Sequence, residues 1–366
     1  MKGLFNNVYK GKKILITGHT GFKGSWLALW LTKLGAEVIG YSKNTPTTPS
    51  HFELLKLPIK SITGDVLDKK KLLSTIKKYK PDIIFHMAAQ PIVRLSYVDP
   101  VNTFETNIMG VVNILESARK VGNIKAIVNI TSDKCYRNTG KAQSYIETDP
   151  MGGNDPYSAS KGAAELVSHA FRHSYFNPDD YGKKHTTLIA NVRAGNVIGG
   201  GDWAADRLIP DLMKAASKGR TVTIRFPRAT RPWQHVLEAL SGYLHIGSKL
   251  LQGHKEFADN WNFGPTNEHA IPVYKVIEHA KTHWDSFMYE IKEDPHAFHE
   301  DRFLMLDSKK ARTKLKWKSI WNSHKTFERT VTWYNKFYVQ KELVTEQDLE
   351  EYINNAKRAR VAWATQ

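Results

Sequence analysis

The sequence predicts a doubly wound parallel α/β sheet followed by a smaller C-terminal α/β lobe, and three observations carry that reading. Short apolar runs at Lys13 to Thr17, Glu37 to Tyr41, Ser61 to Asp65, Pro81 to Met87, Lys125 to Thr131 and Thr187 to Arg193 alternate with stretches of helical length and periodicity. Strands separated in this way pair in parallel through right-handed crossovers. The first run breaks into three glycines, Gly18, Gly21 and Gly24, ahead of the apolar stretch Trp26 to Leu31, which reads as strand, tight turn and helix. At 366 residues the chain also exceeds the usual size of one domain, which calls for a second lobe. The first part is therefore of Rossmann type.

Glycines at that turn supply its dihedrals, let backbone approach a pyrophosphate and allow helix to pack on strand. Their spacing is G-x-x-G-x-x-G, not the commoner G-x-G-x-x-G. The phosphates are expected on the N-terminus of a helix starting near Gly24, where free N–H groups and the helix dipole favour anions. Ser42 to Pro58, rich in Thr, Pro and Ser, reads as a loop with little regular structure. A lysine-rich helix from about Asp68 to Lys78 follows the third strand. The fourth strand ends in Ala88-Ala89-Gln90, and a long helix is expected from about Val101 to Val121, with Phe104, Ile108, Val112, Leu115 and Val121 on one face. A helix from Tyr157 to about Phe171 and the strand from Thr187 to Arg193 complete the sheet. Ligands in such sheets bind beyond the strands' carboxyl ends, so the Gly18 turn, Asp65, Ala88 to Gln90 and Thr131 to Lys134 share one rim.

Beyond that point the texture changes: Gly195 to Trp203 is glycine-rich, Phe226 to Pro232 is basic and proline-bounded, and aromatic helices follow from about Ile271. The expected division is 1–192 plus about 234–268 for a dinucleotide and 193–233 plus about 269–366 for the substrate. The tail opens with Thr345-Glu346-Gln347-Asp348, which resembles a helix N-cap sequence, and is expected to be a surface or partner-packing helix.

Cys135 is the single cysteine, so no internal disulfide forms and a reducing compartment is the natural setting. With no apolar run suited to a signal peptide or a membrane span, a soluble, cytoplasmic protein is expected. The balance of 53 basic to 36 acidic side chains gives a net charge of +17, but the lysine clusters are scattered and form no continuous tract. That argues against nucleic acid as partner and for a solvated surface whose field also suits an anionic small substrate. The 15 histidines show no metal-ligand spacing, so no metal is expected, and Trp26, Trp30, Trp233 and Trp261 read as core.

Chemistry concentrates at Thr131-Ser132-Asp133-Lys134, at a strand end, and at Tyr157-Ser158-Ala159-Ser160-Lys161 about 25 residues on. Tyr157 and Lys161 stand at i and i+4 on one helical face. A lysine beside a tyrosine lowers the phenol's pKa and makes it a base, while a hydroxyl from Ser132 can hold the reacting oxygen.

Gly18-x-x-Gly21-x-x-Gly24, Ala88-Ala89-Gln90, Asn107 and Tyr157-x-x-x-Lys161 together resemble the extended short-chain dehydrogenase/reductase superfamily. Gly18-His19-Thr20-Gly21-Phe22-Lys23-Gly24-Ser25-Trp26, Thr131 to Tyr136, Asp149 to Gly153, Arg193 to Trp203 and Thr230 to Val236 narrow the likeness, over about Tyr9 to Trp321, to its nucleotide-sugar 4,6-dehydratases, those acting on CDP-glucose above all. Such enzymes oxidise carbon 4 of the sugar, eliminate water across carbons 5 and 6 and reduce carbon 6. The resemblance implies Tyr157, Lys161 and Ser132 at the 4-hydroxyl, Asp133 as acid to the departing hydroxyl and Lys134 as base at carbon 5, or else as a charged stabiliser of the enolate. In the dTDP-glucose relatives that pair is Asp-Glu. A base role needs Lys134 neutral, through burial or neighbouring charge.

The cofactor implied is NAD, held by Gly18, Thr20, Gly21, Phe22, Lys23, Gly24, Ser42, Asp65, Val66, Ala88, Ala89, Gln90 and Asn107 with Tyr157 and Lys161. The second strand ends Gly40-Tyr41-Ser42-Lys43 without the carboxylate usual for NAD, so local chemistry leaves NADP open. For the nucleotide sugar, planar arginines suit a diphosphate: Arg231 first, then Arg94, Arg207, Arg225 and Arg228. Gln90, Asn196, His235 and Glu300 complete the expected substrate set, His235 being equally readable as core. The resemblance also implies a homodimer or homotetramer through the helices at 101–121 and 157–171, and a role in deoxysugar biosynthesis for a surface polysaccharide. A 4-epimerase or reductase would lack any need for Asp133-Lys134; a nucleotide-binding interaction protein without activity is the reading from another class.

Overall fold

The structure, a computed structural model, describes residues 1–140, 143–224, 230–265, 270–292 and 304–365. Seven parallel strands form the central sheet: β1 (Lys13–Thr17), β2 (Glu37–Ser42), β3 (Lys60–Thr63), β4 (Ile83–His86), β5 (Ala126–Ile130), β7 (Leu188–Ala194) and β12 (Asn260–Phe263), in the order β12-β7-β5-β4-β1-β2-β3. The expected sheet lacks β12, which pairs with β7 in the register Asn260↔Asn191 to Phe263↔Ala194. Its four residues, Asn260-Trp261-Asn262-Phe263, gain strand identity from that pairing and not from any alternation of their own.

Helices cover both faces. On one lie α1 (Phe22–Lys33) and α9 (Val236–Leu251), whose Trp26, Trp30, Leu240 and Tyr243 pack on Ile14, Ile16 and Val128. On the other lie α3 (Lys69–Tyr79), α6 (Gly110–Val121) and α7 (Pro156–Ser174), packed on Leu15, Ile84 and Ile127. Asp68 caps α3 at Lys71 N (3.0 Å) and Asp155 caps α7 at Ser158 N (2.9 Å), with Pro156 at the first position.

The expected loop at Ser42 to Pro58 holds α2 (His51–Leu55), capped by Ser50. The expected single helix from Val101 is interrupted: α4 (Val93–Val98) and α5 (Pro100–Phe104) precede a π turn at Glu105–Met109 that runs into α6. The wider turn shifts the phase of the following face. Val111, Ile114, Leu115 and Ala118 are therefore buried while Phe104 and Met109 are exposed, a stripe that a 3.6-residue period misplaces.

The second core gathers α8 (Leu208–Ala216), α10 (Val273–Lys281) and α11 (Ser323–Asn335) around Trp203, Trp233, Trp284 and Trp333. Short strands β8 (Val197–Ile198) with β11 (Gln234–His235) and β6 (Ser144–Tyr145) with β15 (Met305–Leu306) join it to the first lobe, while β9 (Thr221–Ile224) with β14 (Met288–Ile291) and β10 (Thr230–Pro232) with β13 (Ala270–Pro272) pair within it. The tail helix, α12 (Thr345–Arg358), has Val344 rather than Thr345 at its N-cap and lies at the surface, exposing Glu346, Gln347 and Glu350 while Leu349, Tyr352, Ile353 and Ala356 join the core of α1 and α9. Thr345 instead ties elements together, its Oγ1 meeting His51 Nε2 (3.0 Å) and Trp333 Nε1 (2.9 Å). Among the described residues no helix is long and apolar enough to cross a membrane.

Candidate active site

The glycine turn is built as a backbone cradle. Gly18 has φ +76°, and a Cβ there would come within 2.8 Å of Ala88 N, on the neighbouring strand end. Helix α1 begins at Phe22 rather than near Gly24, so Gly24 lies inside its first turn, where a Cβ would stand 2.1 Å from the Gly18 carbonyl oxygen. No side chain caps α1 at Gly21. Its leading N–H groups are left for an anion, and the closed-up backbone fits a dinucleotide's pyrophosphate.

His19, a turn residue not foreseen as a site group, folds inward: its Nδ1 lies 3.0 Å from Ser42 Oγ and its Nε2 2.7 Å from Ser61 Oγ. Its ring occupies the space a Cβ of Gly40 would need, at 2.3 Å. A glycine in the middle of β2 was the available signal. Thr20 closes the turn on the end of β2, through Thr20 Oγ1 to Asn44 O (2.6 Å). Along the rim, Asp65 Oδ1 accepts from Leu67 N (2.9 Å), Val66 is buried beside Gly110, and Thr17 Oγ1 accepts from Ala88 N (3.1 Å).

Ser132, at the end of β5, donates its hydroxyl to Asp133 Oδ1 (2.9 Å) and accepts from Lys134 N (3.3 Å) as the cap of the short turn Asp133–Cys135. Tyr157 is hydrogen-bonded to Ser132. The phenol, Ser132 and Asp133 thus form one hydrogen-bonded row. The expected fall in the Tyr157 pKa is not found: burial pushes it up to about 12, with Asp133 adding to the rise and the Ser132 hydrogen bond opposing it. Lys161 is itself buried, and burial lowers it to about 8. Lys23 comes down to about 8 for the same reason, helped by the charges of Arg207 and Lys161.

Lys23, in the glycine turn, is therefore a neighbour of Asp133, Lys161, Asp202 and Arg207 across the rim. Arg207 pairs with Asp202 (2.9 Å) and its charge reaches Tyr157. Gly195 abuts the same centre, a Cβ there standing 3.2 Å from Asp133 Oδ2, which sets half-buried Asn196 at the site wall. Arg94 pairs with Asp206 (3.0 Å) next to Arg207.

Three expected contacts change character. Gln90 spends its side chain on its own loop, giving to Ile92 O and Thr103 Oγ1 and accepting from Ile92 N (3.1, 2.9 and 2.6 Å). These bonds hold the rim loop in shape. Asn107, in the π turn, locks that loop to α7: Gln90 N donates to its Oδ1 (2.8 Å) and its Nδ2 donates to Ser160 Oγ (2.9 Å). His235 is fully buried between Trp26 and Trp321, its Nδ1 accepting from Leu237 N (3.3 Å) as the cap of α9, so it is core and cap. Arg231 lies in β10 with its side chain outside the described residues, and Arg225, Arg228 and Glu300 also fall outside them.

Behind the site, Glu165 stands one turn beyond Lys161 and binds Arg193 through Nε and Nη2 (2.8 and 2.9 Å) and Thr131 Oγ1 (2.5 Å). This buried, doubly hydrogen-bonded pair clamps α7 to β5 and β7 and so fixes Tyr157 against Ser132. Sequence reasoning missed it, although the i and i+4 spacing from Lys161 was visible.

A strand-end Ser-Asp-Lys facing a helical Tyr-Lys pair over a dinucleotide cradle is the constellation of a sugar-modifying dehydratase. The chain belongs to the GDP-mannose 4,6 dehydratase family, whose model matches residues 15–330. It is 47% identical over 356 residues to the CDP-glucose 4,6-dehydratase of Salmonella typhimurium, covering 96% of this chain and 99% of that one. The dTDP-glucose 4,6-dehydratase of Xanthomonas campestris is 24% identical over 361 residues, covering 89% and 94%. The fold matches the crystal structure of dTDP-glucose 4,6-dehydratase from Bacillus anthracis in complex with NAD, with a TM-score of 0.75 at 22% identity over 91% of this chain and 99% of that one.

Proposed function

We propose that the chain is an NAD-dependent hydro-lyase that converts CDP-glucose to CDP-4-keto-6-deoxyglucose and water. The observation that carries the reading is Asp133, hydrogen-bonded to Ser132 and close enough to raise the Tyr157 pKa, followed directly by Lys134. The likeness to the Salmonella typhimurium enzyme over nearly the whole chain supports CDP-glucose, and the NAD complex of the Bacillus anthracis enzyme supports NAD.

The glycine cradle, Thr20, Ser42, Asp65 and Lys161 would hold NAD, which when bound takes the hydride from carbon 4 and returns it at carbon 6. Tyr157 accepts the proton of the 4-hydroxyl, and Ser132 holds that oxygen. Burial raises the phenol's pKa, and the Ser132 hydrogen bond and the charge of Arg207 oppose that rise. Lys134 removes the carbon 5 proton. Asp133 donates a proton to the 6-hydroxyl, which departs as water, and as the hydride arrives at carbon 6 Lys134 returns a proton to carbon 5. The two protons taken, at the 4-hydroxyl and at carbon 5, are thus matched by the two given, at the 6-hydroxyl and at carbon 5. Arg207, with Arg94 and Arg231, receives the diphosphate, and Asn196 faces the sugar.

The strand rim serves the dinucleotide, and 193–233 with 269–344 serves the nucleotide sugar. Leu95, Val98, Val101, Phe104, Met109 and Leu166 leave an exposed apolar face on α4, α5, the π turn and α7. That face supports a homodimer or homotetramer. A cytoplasmic role in deoxysugar supply for lipopolysaccharide O-antigen completes the reading. Incubation with CDP-glucose followed by mass spectrometry tests it: a product lighter by one water is expected, and an unchanged mass, as from an epimerase, overturns it.

A further inference from the structure

The end of β2 lacks the carboxylate that NAD-binding sheets usually present to the ribose hydroxyls, and carries Lys43, a group suited to a 2′-phosphate. Strand register brings the end of β3 beside it, with Ser42 opposite Thr63. Two residues beyond Thr63, Asp65 places its Oδ2 3.1 Å from Lys43 Nζ. The two partners are not equivalent. Asp65 is anchored, its Oδ1 bound to Leu67 N (2.9 Å) and its carbonyl oxygen to the Tyr41 hydroxyl (3.0 Å), whereas Lys43 is 70% exposed and reaches in from solvent. A second sign of negative potential is local: the Tyr41 phenol is pushed up to about 12, first by burial and then by Asp68 and Asp65.

We propose that Asp65 selects NAD over NADP by holding and neutralising Lys43. The carboxylate that β2 lacks is thereby supplied from β3. A 2′-phosphate arriving at this corner meets an already paired lysine and a fixed carboxylate, while an uncharged 2′-hydroxyl meets no repulsion. This inference rests on the reading of the glycine turn as a dinucleotide site.

The test is equilibrium binding of NAD and of NADP to the full chain, followed by isothermal titration, for wild type, Asp65→Asn, Lys43→Ala and the double variant. Wild type prefers NAD. Asp65→Asn frees Lys43, so the preference should narrow by roughly tenfold through tighter NADP binding. The double variant should lose that gain. Lys43→Ala, a change at an exposed side chain, leaves Asp65 unpaired and should deepen the preference for NAD. An unaltered ratio in both single variants, or a gain in NADP affinity that persists in the double variant, overturns the proposal. If wild type binds neither dinucleotide, the reading of the glycine turn fails instead.

Discussion

Tyr157, Ser132 and Asp133 share one row of hydrogen bonds, so the proposed chemistry divides at Ser132, one side serving carbon 4 and the other carbons 5 and 6. Variants on the two sides should fail differently. Tyr157→Phe removes the base for the 4-hydroxyl and should cut turnover by about 10³-fold, with no oxidation at carbon 4. Lys134→Met should leave that oxidation measurable by the absorbance of reduced nicotinamide, yet abolish water release and exchange of the carbon 5 proton with deuterated solvent. Near-normal dehydration by Lys134→Met would overturn the base role. The residue types were legible because Ser132, Tyr157 and Lys161 fall at a strand end and on one helical face. The direction of the Tyr157 pKa was not, because it depends on how completely the phenol is buried.

At the scale of elements, the first β-turn-α unit combines a legible motif with hidden support. Gly24→Ala would drive a Cβ to 2.1 Å from a backbone oxygen that cannot swing away. It should cost about 2–4 kcal/mol of stability and weaken dinucleotide binding, both measurable by denaturant titration and by isothermal titration. Wild-type stability in that variant would show that the turn is not packed as described. The glycines announce themselves by spacing, whereas their supports, His19 against Gly40 and Thr345 against His51 and Trp333, join residues far apart in the chain. The π turn at Glu105–Met109 is likewise invisible to periodicity, since one wider turn changes the phase without changing the composition.

For the whole molecule, the C-terminal part of the chain is tied into the first core where Glu238 of α9 accepts from Ile320 N, Trp321 N and the Tyr352 hydroxyl (3.0, 2.7 and 2.9 Å). Burial raises the Glu238 carboxyl from its ordinary 4.5 to about 7. Between those values the folded protein holds a proton that the unfolded chain has released. The stability contributed is therefore full below pH 4.5 and is lost as pH rises through about 7. The loss is at most about 3 kcal/mol, and Glu238→Gln should flatten this part of the profile in urea titrations at pH 5 and 7.5. An unchanged slope would locate the titration elsewhere. The apolar face of α4, α5 and α7 gives the other prediction: wild type should scatter light as the proposed dimer or tetramer, and Val98→Glu with Leu166→Glu, at residues 78% and 60% exposed, should yield a folded monomer. An unchanged mass would move the interface to another surface.

The sequence by itself determined the parallel sheet and announced the glycine turn and the candidate Ser132, Tyr157 and Lys161 set, because strand and helix periods, glycine spacing and an i, i+4 pair are local properties of the chain. Tertiary structure alone decided how the expected site residues are partnered and buried. It turned Gln90 and His235 inward, paired Arg207 with Asp202 and Lys43 with Asp65, added β12 to the sheet and returned α12 to the first core. Each of these depends on the burial or pairing of residues that only the folded chain brings together, and so leaves no periodic trace along it.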